Sequence, residues 1–453
     1  MEIRFGVQSA PHRSRNASAQ RMVNCYLEQA PPASKSPVDV VPSYGITDFA
    51  TVGNGPMRGG TVVNGVPYVV SGSALYRIAS TGAATSLGSV PGTQDVTMMG
   101  DGLNVVVVTN PDGYVYDGTS VAQITDVDFP GAAWVGYLDG YAVIIEPASG
   151  RVWVAGPLTP ASWNALDFAT AEAAPDDILW GVVDHRELFL FGRETTEVWF
   201  NSGNADFPLE RVPSGFIEHG IMSARAAGKC DNSVYFLGND GIAYLMQGYT
   251  PQRVSHHQFE AAIEGYADKS CTVIPWTEGG HKFVAFRFAE GCWLYDVATQ
   301  LWHERVSYGQ DTWRGKFVLQ AYGRFLVADA DSNKLGQFVA DSFTEFGAVL
   351  RSECTSAAVF QEGQLVHHDM LELHFETGVG VQTGQGSAPK VMLQFSDDGG
   401  RKWSSEKWRS LGAIGDFKHR VRFARLGAAR DRVYRYAISD PVRRTLTNAV
   451  LNP

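Results

Sequence analysis

The chain has 453 residues, enough for two or three domains, and its 48 Gly, 21 Pro and 11% aromatic residues suit many short strands joined by tight turns. No apolar stretch approaches a membrane-spanning length, and five widely spaced cysteines (Cys25, Cys230, Cys271, Cys292, Cys354) without a Cys-x-x-Cys pair argue for reduced, packed thiols and against a structural zinc site. A net charge of −11 argues against a body that grips nucleic acid, because it would repel phosphate.

In chain order, Met1-Glu2-Ile3-Arg4-Phe5 lacks the apolar core of a signal peptide, so the product is expected to be made in the host cytoplasm and kept there until assembled. Ala17 to Gln29 has the apolar spacing of a short helix, and a proline-rich run follows from Pro31 to Pro37. Residues 1–55 therefore read as a docking arm with a linker.

Next comes a repeat. Seven turn pairs (Asn64-Gly65, Asp101-Gly102, Asp139-Gly140, His185-Arg186, Asp231-Asn232, Gly279-Gly280, Tyr322-Gly323) lead into apolar strands anchored at Tyr68, Val105, Ala142, Leu188, Val234, Phe283 and Phe325. Neighbouring anchors are 37, 37, 46, 46, 49 and 42 residues apart. A returning strand then carries Tyr76, Tyr116, Trp153, Trp199, Tyr244, Tyr295 or Phe338, 8 to 13 residues after its anchor. A hairpin in each unit and a period near forty predict a β-propeller of six or seven blades over residues 56–345, the competing reading being an all-β sandwich array with coincidental spacing. A second helical pattern, Gln258 to Tyr266, would make two turns.

From 346 to 453 the strands lengthen, as in Met370 to Glu376 and Lys390 to Phe395, around a Gly-rich loop from Thr377 to Ser387. This predicts an additional β-sandwich-like platform, making the whole chain all-β. Ser396, Asp398, Gly400 and Trp403 match the Asp-box turn S-x-D-x-G-x-x-W, in which the Asp accepts turn amides and the Trp packs beneath the hairpin. Such boxes recur in sialidases but are structural there. Between Arg401 and Arg444, thirteen Lys and Arg face four acids, a net +9 that leaves −20 for the rest of the chain. Arg420, Arg422, Arg425, Arg435 and Arg443 are thus candidate interface residues for an acidic neighbouring surface, or else one solvated strand face.

Catalytic and metal motifs are weak. Asp329, Asp331 and Asn333 begin like an EF-hand, but Lys334 stands where glycine is required and Ala340 where a bidentate glutamate is required. His256-His257 and His367-His368 would point to opposite faces of a strand. Asp176-Asp177 reads as a capping or solvated pair more readily than as a glycosidase pair. The expectation is no catalytic residue, no metal site and no cofactor.

Several segments resemble the packaged-DNA stabilisation proteins of short-tailed phages, also described as tail accessory factors or tail nozzle proteins. They are SRNASAQRMVNCYLE (Ser14 to Glu28), LDGYAV (Leu138 to Val143), GPLTPASWNALDFATAEAAPDDI (Gly156 to Ile178), HRELFLFGRETTEVWFNSG (His185 to Gly203), FPLERVPSGFIEHG (Phe207 to Gly220), GYTPQRVS (Gly248 to Ser255) and RYAISDPVR (Arg435 to Arg443). The resemblance implies a non-enzymatic virion protein forming a ring, a hexamer, below the portal and adaptor rings. There it would extend the DNA channel, retain packaged DNA without reading its sequence, and carry fibre, spike or needle proteins. Arg13 to Glu28 and Arg435 to Leu446 would meet the neighbouring subunit and the ring above. The alternative is a propeller-type carbohydrate-binding protein or glycosidase, with Trp153, Trp163, Trp199 and Trp293 stacking on sugar rings.

Overall fold

Each of the seven turn pairs joins the first two strands of a four-stranded antiparallel sheet, in a computed structural model that describes residues 1–14, 17–171 and 175–452. Arg15 and Asn16 of the first resembling segment, and Glu172, Ala173 and Ala174 of AEAAPDDI, lie outside the described residues. In six of the pairs both residues take positive φ, including His185 (48°) and Arg186 (64°), the left-handed geometry that matches strand twist. The seven anchors all fall on second strands and the seven aromatics all on third strands, so the propeller has seven blades.

The first strands of the blades are Met57–Val63, Thr97–Gly100, Trp134–Leu138, Ile178–Asp184, Ala227–Cys230, Thr272–Glu278 and Gly315–Ala321. Each lies against the first strand of the next blade, and the seventh against the first, which closes the ring around an axis. Blade 7 takes its fourth strand from upstream: Gly45–Thr51 pairs antiparallel with Lys334–Val339, with Ile46 opposite Phe338. The Asp329, Asp331, Asn333 turn serves this seam, since Asp329 binds Arg314 and the Asn333 carbonyl accepts the Val52 amide at 2.8 Å.

The sheet of blade 6 continues beyond its own fourth strand, Leu301–Glu304. Met22–Val23 adds to it in parallel, followed by Ser352–Thr355, Asp431–Ile438, Lys390–Ser396 and Lys407–Ser410. A second sheet, ordered Cys25–Gln29, Val38–Pro42, Leu446–Leu451, Met370–Phe375 and Val421–Ala424, faces this extension across a core that includes Phe5, Met22, Leu27, Leu371, Leu393 and Tyr436. The result is the expected β-sandwich. Because it grows out of blade 6, that blade's outer edge is paired and not left open.

Two expectations need correction. The helical pattern from Ala17 to Gln29 is three strands, Ala19–Gln20, Met22–Val23 and Cys25–Gln29. Met22, Val23, Cys25, Tyr26 and Leu27 are all buried, some against the sandwich core and Tyr26 against the propeller, so the apolar run covers two environments and imitates a helical face. Residues 1–55, read as an arm with a linker, supply sandwich strands up to Pro42 and the strand that closes the propeller, while the proline-rich run is the loop of the Cys25–Gln29 and Val38–Pro42 hairpin. Removing residues 1–28 would take Ile3, Phe5, Met22, Cys25 and Leu27 out of the sandwich core. The second helical pattern corresponds to the helix His257–Glu264, which buries Phe259 and Ile263.

Candidate docking surface and the propeller–sandwich junction

The Asp-box residues form one hydrogen-bonded turn. Ser396 Oγ donates to Asp398 Oδ1 (2.7 Å), which also accepts the amides of Arg401 and Lys402 (both 2.9 Å), while Gly400 N donates to Ser396 Oγ (2.9 Å). The Lys402 amide, followed by the Ser396 hydroxyl, holds the Asp398 carboxyl below its ordinary range. The Arg435 guanidinium lies 4.1 Å from the centre of the Trp403 ring.

The arginines of the basic region are largely engaged within the chain. Arg420 grips buried Glu372 through two 2.6 Å hydrogen bonds and Arg422 adds a third at 2.9 Å. Arg435 donates to Gln394 (2.7 Å), and Arg443 to Asp341 (2.7 Å). Arg425 is exposed at a left-handed turn (φ 58°) and forms no ion pair among the described residues. Reversing Arg420 and Arg422 would leave Glu372 buried against like charge, so such a variant tests folding as much as docking.

The other sequence candidates are structural in their contacts. Asp176 caps a turn by accepting the amides of Arg193, Glu194 and Thr195. His256 caps its helix by accepting from Phe259 N, and His368 is buried on the Tyr434 hydroxyl at 2.7 Å while His367 is exposed. Trp153, Trp163, Trp199 and Trp293 are each less than a tenth exposed, and their indole N–H groups are taken by Glu146, Pro160 O, Glu197 and Tyr266. None presents a face to a sugar.

Sequence reasoning missed a buried polar cluster where the propeller meets the sandwich. Arg305, fully buried, lies 3.6 Å from Glu278 and 3.7 Å from Glu345 and donates to Tyr44 O at 2.9 Å. Glu278 accepts Tyr44 N and Trp276 Nε1, and Glu345 accepts Trp313 Nε1 and the Ser307 hydroxyl. Burial raises the Glu278 carboxyl, with Arg305 opposing. These residues sit on strands or turns far apart in sequence, and no spacing signals them.

His303, in the same region, packs on the rings of Tyr26 and Phe283. Burial pushes its imidazole down to about 3, with Asp296 opposing and with Arg305 and His281 reinforcing. An imidazole depressed in the folded state contributes stability above its unfolded value near 6.5 that is lost as pH falls toward 3. His281 works the other way, raised by its hydrogen bond to Asp296, so its contribution is present below 6.5 and lost as pH rises. His303→Phe, which keeps an aromatic there, is expected to remove about 2 kcal/mol of the stability difference between pH 6.5 and pH 5. Urea midpoints at the two pH values measure this. An unchanged difference would remove His303 as its source.

One free sheet edge carries apolar side chains. Lys407–Ser410 is the outermost strand of the long sheet, and on it and the turn that follows Trp408, Ile414 and Phe417 are 49%, 52% and 72% exposed. The propeller axis, by contrast, holds a cavity of about 210 Å³ lined by Arg58, Asp95, Trp180, Arg225, Arg287 and Lys316 among others.

A family model described as bacteriophage P22 Gp10, beta-propeller, matches residues 19–343, and another described as bacteriophage P22 Gp10, beta-sandwich, matches residues 351–452. A search of curated proteins found no match. Among solved structures, the computationally designed Ika8 protein is similar at 13% identity and a TM-score of 0.42, over 71% of this chain and 100% of that one. The extracellular domain of the putative one component system BT4673 from B. thetaiotaomicron is similar at 8% identity and 0.46, over 89% of this chain and 59% of that one. PorZ of Porphyromonas gingivalis follows at 11% and 0.39, over 81% and 46%. The chain spans only about half the length of these last two, and scores this low carry no argument. The two family models together take in both the seven-bladed ring and the sandwich that grows from it, and the chain belongs to the bacteriophage P22 Gp10 family of packaged-DNA stabilisation, or tail nozzle, proteins.

Proposed function

We propose that this phage tail protein is one subunit of a ring, a hexamer, that extends the DNA channel below the portal and adaptor, retains packaged DNA and offers its outer face to fibre or needle proteins. In this reading it is made in the host cytoplasm and acts without turnover. The observation that carries the ring is exposed Trp408 on the outermost strand, with exposed Ile414 and Phe417 on the turn after it: large apolar side chains at and beside an unpaired sheet edge favour contact with another chain. Exposed Arg425 would lie on the charged rim of that contact. In a ring of such subunits the DNA path would run between subunits. A carbohydrate-binding role is not favoured, because the four candidate tryptophans fill blade cores.

Replacing Trp408 and Phe417 together by Glu tests the surface. The expected result is a chain with wild-type circular dichroism and urea midpoint that sediments as a monomer and fails to enter tails. Wild-type rings and wild-type incorporation from the double variant would overturn this assignment.

A further inference from the structure

The cavity on the propeller axis is lined by four cationic side chains and one carboxylate. Its position follows from the residues around it: Arg58 and Trp180 on the first strands of blades 1 and 4, Asp95 and Arg225 just before the first strands of blades 2 and 5, and Lys316 on that of blade 7. Only the axis is near strands from so many sides of the ring. All five lie at or next to the beginnings of these strands, so the cavity sits at the end of the axis where the chain enters each blade.

Among the lining residues cations outnumber carboxylates by four to one. Arg58, 1% exposed, donates to the carbonyls of Gln94 (2.6 Å), Gly72 (3.0 Å), Val90 (2.7 Å) and Pro91 (3.2 Å). Arg225 donates to Val96 O (3.0 Å) and lies 5.2 Å over the Trp180 ring. Arg287 donates to Trp313 O (2.6 Å). None of the three arginines forms an ion pair within 4 Å among the described residues, and Asp95, whose charge also acts on Arg58 and Arg225, is taken by Lys316 at 2.5 Å. Carbonyls satisfy N–H groups but leave the charge, and uncompensated charge out of water is unfavourable. Composition does not explain the excess, because outside Arg401 to Arg444 the chain is strongly acidic. Arg225 also takes φ 69°, a conformation uncommon for residues other than glycine.

We propose that this axial cavity binds a small oxyanion of the phosphate class. Guanidinium groups match paired phosphate oxygens in geometry as well as charge, and Arg225 and Arg287 each retain N–H groups beyond their single hydrogen bond. The oxygens belong either to free inorganic phosphate or to the phosphate of a mononucleotide.

The test uses the full chain in phosphate-free buffer, titrated with inorganic phosphate, with a nucleoside monophosphate, and with chloride at matched ionic strength. The expected result is a saturable calorimetric isotherm with one site per chain and a melting temperature raised by roughly 2 to 4 °C, neither reproduced by chloride. Tighter binding of the monophosphate assigns the nucleotide as source, and equal or weaker binding assigns the free ion. Arg225→Gln and Arg287→Gln should each weaken binding by about tenfold or more. Should R225Q fail to fold, R287Q decides, because its side chain is only partly buried. No saturable binding beyond the chloride response, or wild-type affinity in the folded variants, overturns the proposal.

Discussion

Arg305→Ala is expected to lower the unfolding free energy by about 3 to 5 kcal/mol, the range for removing one partner from a buried ion pair. The guanidinium stands between Glu278 and Glu345 and over the rings of Trp313 and Phe338 at 5.1 Å each. Without it two carboxylates remain out of water with no cation between them. Glu278 is already raised by burial with Arg305 opposing, so in the variant its carboxyl should hold a proton more tightly in the folded state than in the unfolded chain. The sign follows: a raised carboxyl favours the folded state at low pH and loses that contribution as pH rises. The deficit of R305A should therefore be largest near pH 8 and shrink toward pH 5. Urea denaturation at both values measures it. Replacing Arg305, Glu278 and Glu345 together by Met, Met and Leu should recover most of the loss, because packed apolar groups avoid the desolvation penalty altogether. A pH-independent deficit would mean that lost packing, not charge, explains the single variant.

Ile46→Ala is expected to cost about 2 to 5 kcal/mol through lost apolar burial and the cavity left behind. Ile46 is 0% exposed on the strand Gly45–Thr51, packed in the cluster that holds Trp276, Trp313 and Phe346. Weakening it should act on the ring seam first, so the variant should be nicked by protease near residues 42–56 under conditions where the wild type is intact. A lost midpoint without faster nicking there would show that the ring unfolds as a whole and that the seam is not its weakest joint.

The repeat was legible because everything that makes it is local. A turn pair fixes the hairpin, the second strand is apolar because its blade is covered on both faces, and Tyr76, Trp153 or Phe338 follows within one hairpin length. The Asp box was legible for the same reason, its hydrogen bonds all falling between Ser396 and Lys402. The misreading at Ala17 to Gln29 has the opposite cause. Met22–Val23 has partners at Glu304 and Cys354, hundreds of residues away, and nothing nearby reports that its neighbours lie on two sheets. The excess of positive charge after Arg401 could be counted, but its use on Glu372 depends on pairing Val421–Ala424 with Met370–Phe375. Arg305, Glu278 and Glu345 come together only when the fold is complete.

The closing strand of blade 7 also sets a timetable for synthesis. Thr47 and its partner Gln337 are 290 residues apart, so at 5 to 20 residues per second the early strand waits roughly 15 to 60 s on the ribosome before its partner emerges. The sandwich strands wait longer still, since Leu27 and Val40 pack against residues beyond 420. During that interval the closing strand is an unpaired edge, and the Cys25–Gln29 and Val38–Pro42 hairpin has no neighbouring strand of its sheet and no core to cover it. The shortness of Ala19–Gln20 and Met22–Val23, two residues each, limits what they could mispair with. Translation arrested at any point before blade 7 leaves an open ring and a half-built sandwich at once, so such fragments expose apolar surface and unpaired strands of the kind that chaperones bind.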